Sequence, residues 1–198
     1  MLEGVLVDLV PYGSRFTEQD HRWENNESVF WSGAGERNFV SKAQIEAEHK
    51  RRSESTQRRT GMSFGVLTKD GTPIGHFGYN WISAHNRFAD LGASIGEPAY
   101  WGGGYGTDAL LLLIDYSFRM LDLRKVWLST TTLNARVLRQ MEKVGFKQEG
   151  LLRQTALMDG VWADEPIYGM FCEEWPGYTV MVERLGLAAK AKTNADSV

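Results

Sequence analysis

Tyr100-Trp101-Gly102-Gly103-Gly104-Tyr105-Gly106-Thr107-Asp108-Ala109 is the stretch on which the reading of this chain turns. Behind it, Leu110, Leu113, Ile114, Phe118 and Leu121 recur at helical spacing and predict an amphipathic helix from Thr107. Ahead of it, Arg87 to Gly96 has the composition of a strand and stops short of Pro98, which cannot donate to a ladder. Glycine accepts positive φ and lets a ligand approach the backbone with no Cβ in the way. The N-terminus of the following helix presents unpaired N–H groups and the positive end of its dipole. A pyrophosphate is the guest that such a cradle suits.

Two other glycine loops fail to match. A P-loop ends in Gly-Lys-Ser/Thr, and here Gly106-Thr107-Asp108 has no lysine. A dinucleotide fingerprint started at Gly102 needs its third glycine where Thr107 stands. The plain reading, a turn that binds nothing, stands beside the pyrophosphate reading at this point.

Working outward, Gly4 to Val10 predicts a strand. Thr17 to Asn26 predicts a short helix capped by Thr17, and Gly33-Ala34-Gly35 marks a loop. Ser41 and Gln44 have the spacing of a capping box for a helix running to about Thr56. Lys50, Arg51, Arg52, Arg58 and Arg59 form either a solvated face or a patch for an anion. Ser63 to Thr68 and Ile74 to Ile82 are strands joined by a hairpin at Asp70-Gly71. Lys125 to Thr131 is another strand. Asn134 caps a helix striped by Val137, Leu138, Met141 and Val144 and stopped by Gly145. Phe146 to Leu152 and Ala163 to Phe171 are the last strands, joined through Asp159-Gly160. Together these elements predict a mixed α/β layer with a largely antiparallel sheet. One domain over residues 1–186 is expected, with 187–198 as a small, polar, mobile tail.

The chain has 198 residues, 42% of them hydrophobic, enough for one full core. A net charge of -3 argues against a nucleic-acid partner. The single cysteine, Cys172, excludes an internal disulfide and is expected in a buried strand. His21, His49, His76 and His85 show no metal-ligand spacing, so no metal is expected. No apolar run is long enough to span a membrane, and no secretory signal opens the chain. A cytoplasmic location is therefore expected.

The sequence resembles the GCN5-related N-acetyltransferase (GNAT) family, and within it the ribosomal-protein alanine N-acetyltransferases. The likeness runs from about Val5 to Phe171 and is most specific in Ala89-Asp90-Leu91-Gly92, Ile95-Gly96-Glu97-Pro98, the glycine stretch, Asn134-Ala135-Arg136 and Glu142 to Gly150. It implies a GNAT-like fold, a twisted sheet of about seven strands flanked by about four helices. It also implies acetyl-CoA as cosubstrate, with its pyrophosphate on Gly102, Gly103, Gly104, Tyr105, Gly106 and Thr107. Ile95 and Gly96 would offer strand backbone to the pantetheine arm, and Asn134 would hydrogen-bond that arm beside its capping role. Trp101 and Gly103 bring no positive charge, so backbone N–H groups are expected to do most of the holding.

The implied reaction is direct attack of a primary amine on the thioester in a ternary complex. The acceptor is a protein N-terminus, a polyamine, an amino sugar or an aminoglycoside. Asp90 and Glu97, with His76 behind them, are the candidate bases; their plain roles are a sheet-surface carboxylate, a loop anchor and a structural histidine. Ser94 is a further candidate at the site, and N–H groups near Ile95 would serve the oxyanion. Met141 stands where the family often has a tyrosine acid. That substitution opens an alternative, a non-catalytic acyl-CoA-binding module. Trp23, Phe30, Trp31, Phe39 and Trp81 are candidates for the acceptor side. The resemblance also suggests a homodimer through the last strands.

Overall fold

The computed structural model describes residues 1–30, 39–54 and 62–195. Its first strand is broken where one continuous strand is expected. β1 (Leu2–Glu3) folds back antiparallel on β2 (Val7–Pro11), pairing Leu2 with Leu9. The bend is fixed from outside. Asp108 accepts the N–H groups of Leu6 at 2.7 Å and Val7 at 3.1 Å. A β-carbon at Gly4 would lie 2.4 Å from the same carboxylate oxygen, so the approach needs glycine.

A 3-10 turn over Ser14–Phe16 leads into α1 (Thr17–Glu24), which is followed by α2 (Glu27–Phe30) and α3 (Lys42–Glu54). Thr17 is the first helical residue and not the cap. Its hydroxyl lies 3.2 Å from His49 Nδ1, and His49 Nε2 lies 2.7 Å from Asp20. The capping box forms: Gln44 accepts the Ser41 N–H at 2.8 Å, and Ser41 Oγ accepts the Gln44 N–H at 3.3 Å. The Gly33-Ala34-Gly35 loop, Trp31, Thr56, Arg58 and Arg59 lie outside the described residues.

β3 (Ser63–Thr68), β4 (Pro73–Ser83) and β5 (Phe88–Ile95) form the expected meander. Its first turn uses Gly71 at φ +88°. α4 (Tyr105–Arg119) starts two residues earlier than the apolar stripe suggests. β6 (Lys125–Ser129) and α5 (Ala135–Val144) follow, with Asn134 as N-cap and Gly145 at φ +103° as the stop. β7 (Lys147–Met158) and β8 (Val161–Phe171) make a longer hairpin than expected, turning on Asp159 and Gly160, both at positive φ. Within the expected tail, residues 187–195 continue the fold. α6 (Tyr178–Arg184) leads into α7 (Leu187–Ala195), and Leu187 is buried. A leucine at the first helical position, with core to cover, explains why that segment folds down onto the domain.

Among the described residues, eight strands run in the order β1-β2-β3-β4-β5-β6-β8-β7. Every pair is antiparallel except β5 with β6. This is the expected mixed α/β architecture, and among the described residues it has one strand and three α-helices more than expected. One face of the sheet packs on α4, whose Leu110, Leu111, Leu113 and Ile114 are buried with Val7, Leu9, Ile74, Leu91 and Val126. A second cluster of Val10, Phe16, Trp23 and Leu67 lies under α1. Cys172 departs from its expected place: it begins a 3-10 turn just after β8 and is exposed.

Candidate functional site

The one parallel pairing creates the site. β5 and β6 share a ladder only from Phe88 with Lys125 to Asp90 with Trp127. Beyond that pair β5 runs on to Ile95 while β6 stays with β8, so the two strands splay into a V. A cavity of about 630 Å³ fills the gap, with Leu91, Ala93, Ser94 and Ile95 on one side and Leu128, Ser129 and Thr130 on the other. The antiparallel alternation of β5 with β4 decides which backbone groups face it. Gly96 donates to Ile74 at 2.9 Å, so the even-numbered residues of this stretch bond to β4. The N–H and C=O groups of Leu91, Ala93 and Ile95 therefore point into the gap.

The glycine loop closes one end. Gly102 and Gly104 take φ of +83° and +96°, and Gly104 is the N-cap of α4. The Trp101 indole donates to the Ile95 carbonyl at 2.8 Å and ties loop to strand end. Ile95, Gly102, Gly104, Gly106 and Thr107 line the cavity. The other residues expected to hold the cofactor do not line the cavity themselves. Gly96 packs against Trp23, where a β-carbon would fall 2.2 Å from the indole. Tyr105 stacks edge-on against Tyr100, with ring centroids 5.0 Å apart. Asn134 accepts the Val137 N–H at 3.3 Å as the cap of α5. Gly103 and Asn134 are outside the cavity wall, which takes up Arg136 and Val137 instead.

The cavity wall carries the positive charge that the loop lacks. Arg136, Arg139 and Lys143 reach it from α5, and Arg184 and Lys190 reach it from α6 and α7; among the described residues no carboxylate lines it. In a chain of net charge -3 this is a concentrated asymmetry. Arg136 stacks on Trp101, its guanidinium carbon 4.0 Å from the ring centroid, and partial burial lowers its pKa from the usual value. Arg136, Arg139 and Lys143 are spaced by three and four residues, a helical face that was legible in the sequence. Arg184 and Lys190 carried no such signal, because the resembling stretch ends at Phe171. Of the basic run on α3, Arg51 pairs with Glu48 on its own helix. The side chain of Arg52 lies outside the described set.

The candidate catalytic residues separate. Asp90 sits in the last pair of the ladder, at the vertex of the V, on the sheet face away from Leu91 and α4. Asn80 donates to it at 3.1 Å. Burial pushes its carboxyl above the ordinary carboxylate range, Asn80 opposes this, and the charge of Glu165 adds to the rise. Ser94 lines the cavity and pairs with His76 across β4 and β5. His76 packs by its ring against Tyr12, with centroids 5.4 Å apart. Glu97 turns away toward α1, accepting the Trp23 indole N–H at 2.9 Å and pairing with Arg22. Its geometry is that of the loop anchor.

Met141 is fully buried and contributes only apolar wall. Glu165 carries no motif in the sequence that marks it. It accepts from Ser129 at 2.5 Å and Thr155 at 3.3 Å, which sets a second carboxylate near Asp90. Trp81 lies within ring contact of Phe88 at 5.0 Å and Trp127 at 6.4 Å, beside Asp90 on the open sheet face. Trp23 is core, whereas Phe39 is 86% exposed. The side chain of Phe30 lies outside the described set. Among the described residues, no three His, Cys, Asp or Glu side chains cluster as a metal set, and no helix is long and apolar enough to cross a membrane.

Residues 14–147 match the family model described as Acetyltransferase (GNAT) domain. An uncharacterized N-acetyltransferase p20 of Bacillus licheniformis is 29% identical over 115 residues, 58% of this chain and 64% of that protein. The chain thus spans somewhat under two thirds of that relative. The spermidine N(1)-acetyltransferase of Escherichia coli (strain K12) is 29% identical over 142 residues, 71% of this chain and 72% of the relative. Among solved structures, a spermidine N-acetyltransferase from Vibrio cholerae in complex with CoA and spermine superposes with a TM-score of 0.78 at 21% identity. It covers 88% of this chain and 98% of its own. At that identity the likeness speaks for the fold.

Proposed function

The chain belongs to the GNAT acetyltransferase family, and on that premise we propose that it transfers the acetyl group of acetyl-CoA to a primary amine by direct attack. The observation that carries the proposal is the V between β5 and β6, which has an anion cradle at one end and a half-buried carboxylate at its vertex. The fit to acetyl-CoA rests on the five cations around the cavity and on the backbone edge of Leu91, Ala93 and Ile95. That edge offers an extended pantetheine arm the hydrogen bonds of an added strand.

In this reading Gly102, Gly104, Gly106 and Thr107 hold the pyrophosphate at the N-terminus of α4. A gap-facing N–H of β5 steadies the carbonyl oxygen as it gains negative charge. The amine approaches from the open sheet face, past Trp81 and Trp127. The arriving ammonium first gives one proton to Asp90, directly or through water; the neutral nitrogen then bonds to the acetyl carbon, the C–S bond breaks, and the second nitrogen proton passes to solvent. The CoA sulfur leaves as thiolate. A thiol with a pKa near 8.5 needs no strong acid, so the buried Met141 is compatible with turnover. Asp90 and Glu165 on the approach favour an acceptor that arrives as a cation.

The test is CoA release with a panel of acceptors: a polyamine, a peptide with a free N-terminus, an amino sugar and an aminoglycoside. Release above hydrolysis with at least one class is expected. Tight acetyl-CoA binding with no release from any class would instead make the chain a non-catalytic acyl-CoA-binding module.

We also propose a homodimer built on the β7–β8 hairpin. Leu157 and Trp162 face each other across it and are 48% and 58% exposed. Sedimentation is expected to show a dimer that L157E/W162E converts to monomer; a monomeric parent protein would rule the assembly out.

A further inference from the structure

We propose that Arg184 of α6 and Lys190 of α7 form a phosphate clamp that reads the ribose 3′-phosphate of the cosubstrate and so distinguishes CoA from its dephosphorylated form. The inference rests on the acetyl-CoA reading above and deepens it. The two residues lie beyond the stretch that matches the family, 14–147.

The argument starts from charge. A diphosphate carries two negative charges, and the glycine cradle with the N-terminus of α4 already answers them. The cavity wall nevertheless adds, among the described residues, five cations and no carboxylate. Among the described residues, Arg139, Lys143, Arg184 and Lys190 have no acidic partner, although the chain carries 25 Asp and Glu. Unpaired like charges gathered around one cavity repel one another. The arrangement suits a ligand with a second dianionic group beyond the pyrophosphate, and the 3′-phosphate of CoA is that group.

The assignment to α6 and α7 follows from geometry. The Lys190 stem passes over the loop, with its δ-carbon 3.3 Å from where a β-carbon of Gly104 would stand. Leu187, one turn earlier in α7, meets the same point at 3.2 Å and anchors the helix there. Arg184 makes only a long contact of 3.8 Å to Met181 within its own helix, which leaves its guanidinium to face the cavity. Arg184 and Lys190 thus line the same cavity as Arg136, Arg139 and Lys143, but from a different pair of helices. The helices are held in place separately: the Tyr178 hydroxyl donates to Asp108 at 2.7 Å in the first turn of α4.

The experiment measures the affinities of CoA and dephospho-CoA for the parent protein, R184Q/K190Q and R139Q/K143Q by calorimetry. The parent is expected to prefer CoA by about tenfold or more, the scale of one or two charge-assisted phosphate contacts. R184Q/K190Q is expected to lose that preference while binding dephospho-CoA as the parent does. R139Q/K143Q is expected to weaken both ligands alike. A charge-keeping R184K/K190R variant, expected to keep the preference, guards against a folding defect. Equal affinity of the parent for the two ligands, or a preference that survives R184Q/K190Q, overturns the clamp. A parent protein that binds neither overturns the acetyl-CoA reading itself.

Discussion

The Arg136 guanidinium stands 4.0 Å from the centre of the Trp101 ring, and the Trp101 indole is in turn hydrogen-bonded to the end of β5. One contact thus joins α5 to the glycine loop across the cavity. A cation on an aromatic face is worth about 0.5–2 kcal/mol, more as water is excluded. The same guanidinium lines the cavity proposed for the cosubstrate. R136Q is expected to raise the KM for acetyl-CoA about tenfold and to leave kcat within about twofold, the pattern of lost uniform binding. R136K keeps the charge but not the planar stack, and should fall between. Steady-state kinetics at fixed acceptor concentration check both. A fall in kcat with unchanged KM would mean that Arg136 acts on the reaction and not on binding.

As the proposed base, Asp90 would set activity against stability. Its carboxyl is raised above the usual range by burial. Between its ordinary pKa, near 3.9, and its folded value, the folded state therefore binds more protons than the unfolded chain. Stability falls as pH rises through that window, and the penalty is complete above the folded pKa. D90N removes the penalty, so its Tm at pH 7 is expected to exceed the parent's, with the difference vanishing in acid. The same variant is expected to lose about 10²–10⁴-fold in kcat/KM if Asp90 takes the amine proton. In the parent, log kcat/KM should rise with pH through the Asp90 pKa, a limb that D90N lacks. A D90N protein as active as the parent moves the base elsewhere, with Glu165 the next to test.

Gly102 and Gly104 both sit at positive φ, but a methyl group would meet different surroundings at each. At Gly102 it would enter open space within the cavity wall. At Gly104 it would press on Leu6, Leu187 and Lys190 at 3.1–3.3 Å. Left-handed backbone costs a non-glycine residue about 1–2 kcal/mol in either place. G102A is therefore expected to lose ligand affinity beyond what its modest Tm shift explains. G104A is expected to lose more Tm, because it also pushes α7 off the loop. Thermal melts with and without acetyl-CoA separate the two effects.

The sequence made the strand–loop–helix core legible because its signals are local. Glycines at a turn, a stripe of leucines at helical spacing and an asparagine before a helix act within a few residues. What stayed hidden depends on residues far apart in the chain. The break between β1 and β2 is imposed by Asp108, about a hundred positions away. Trp127 meets Asp90 through a parallel pairing that no turn announces. The cations of α6 and α7 face the cavity only because Leu187 is buried. The exposed Cys172 shows the limit of composition: apolar neighbours on β8 say nothing about the turn that follows.

Asp108 is where fold and site meet. It is fully buried in the first turn of α4 and accepts from Leu6, Val7 and the Tyr178 hydroxyl. That hydroxyl itself accepts the Val5 N–H at 3.0 Å. D108A leaves two backbone donors buried without a partner and is expected to cost about 3 kcal/mol, a Tm loss of about 6–12 °C. Y178F removes one donor to the carboxylate and is expected to cost about 1 kcal/mol. Because Asp108 directly follows the cradle residue Thr107, saturating acetyl-CoA should recover part of the lost Tm in Y178F by binding the folded state. In D108A the cradle itself is loosened, and the same addition should recover less. Equal recovery in the two variants would mean that the anchor and the cradle are energetically independent.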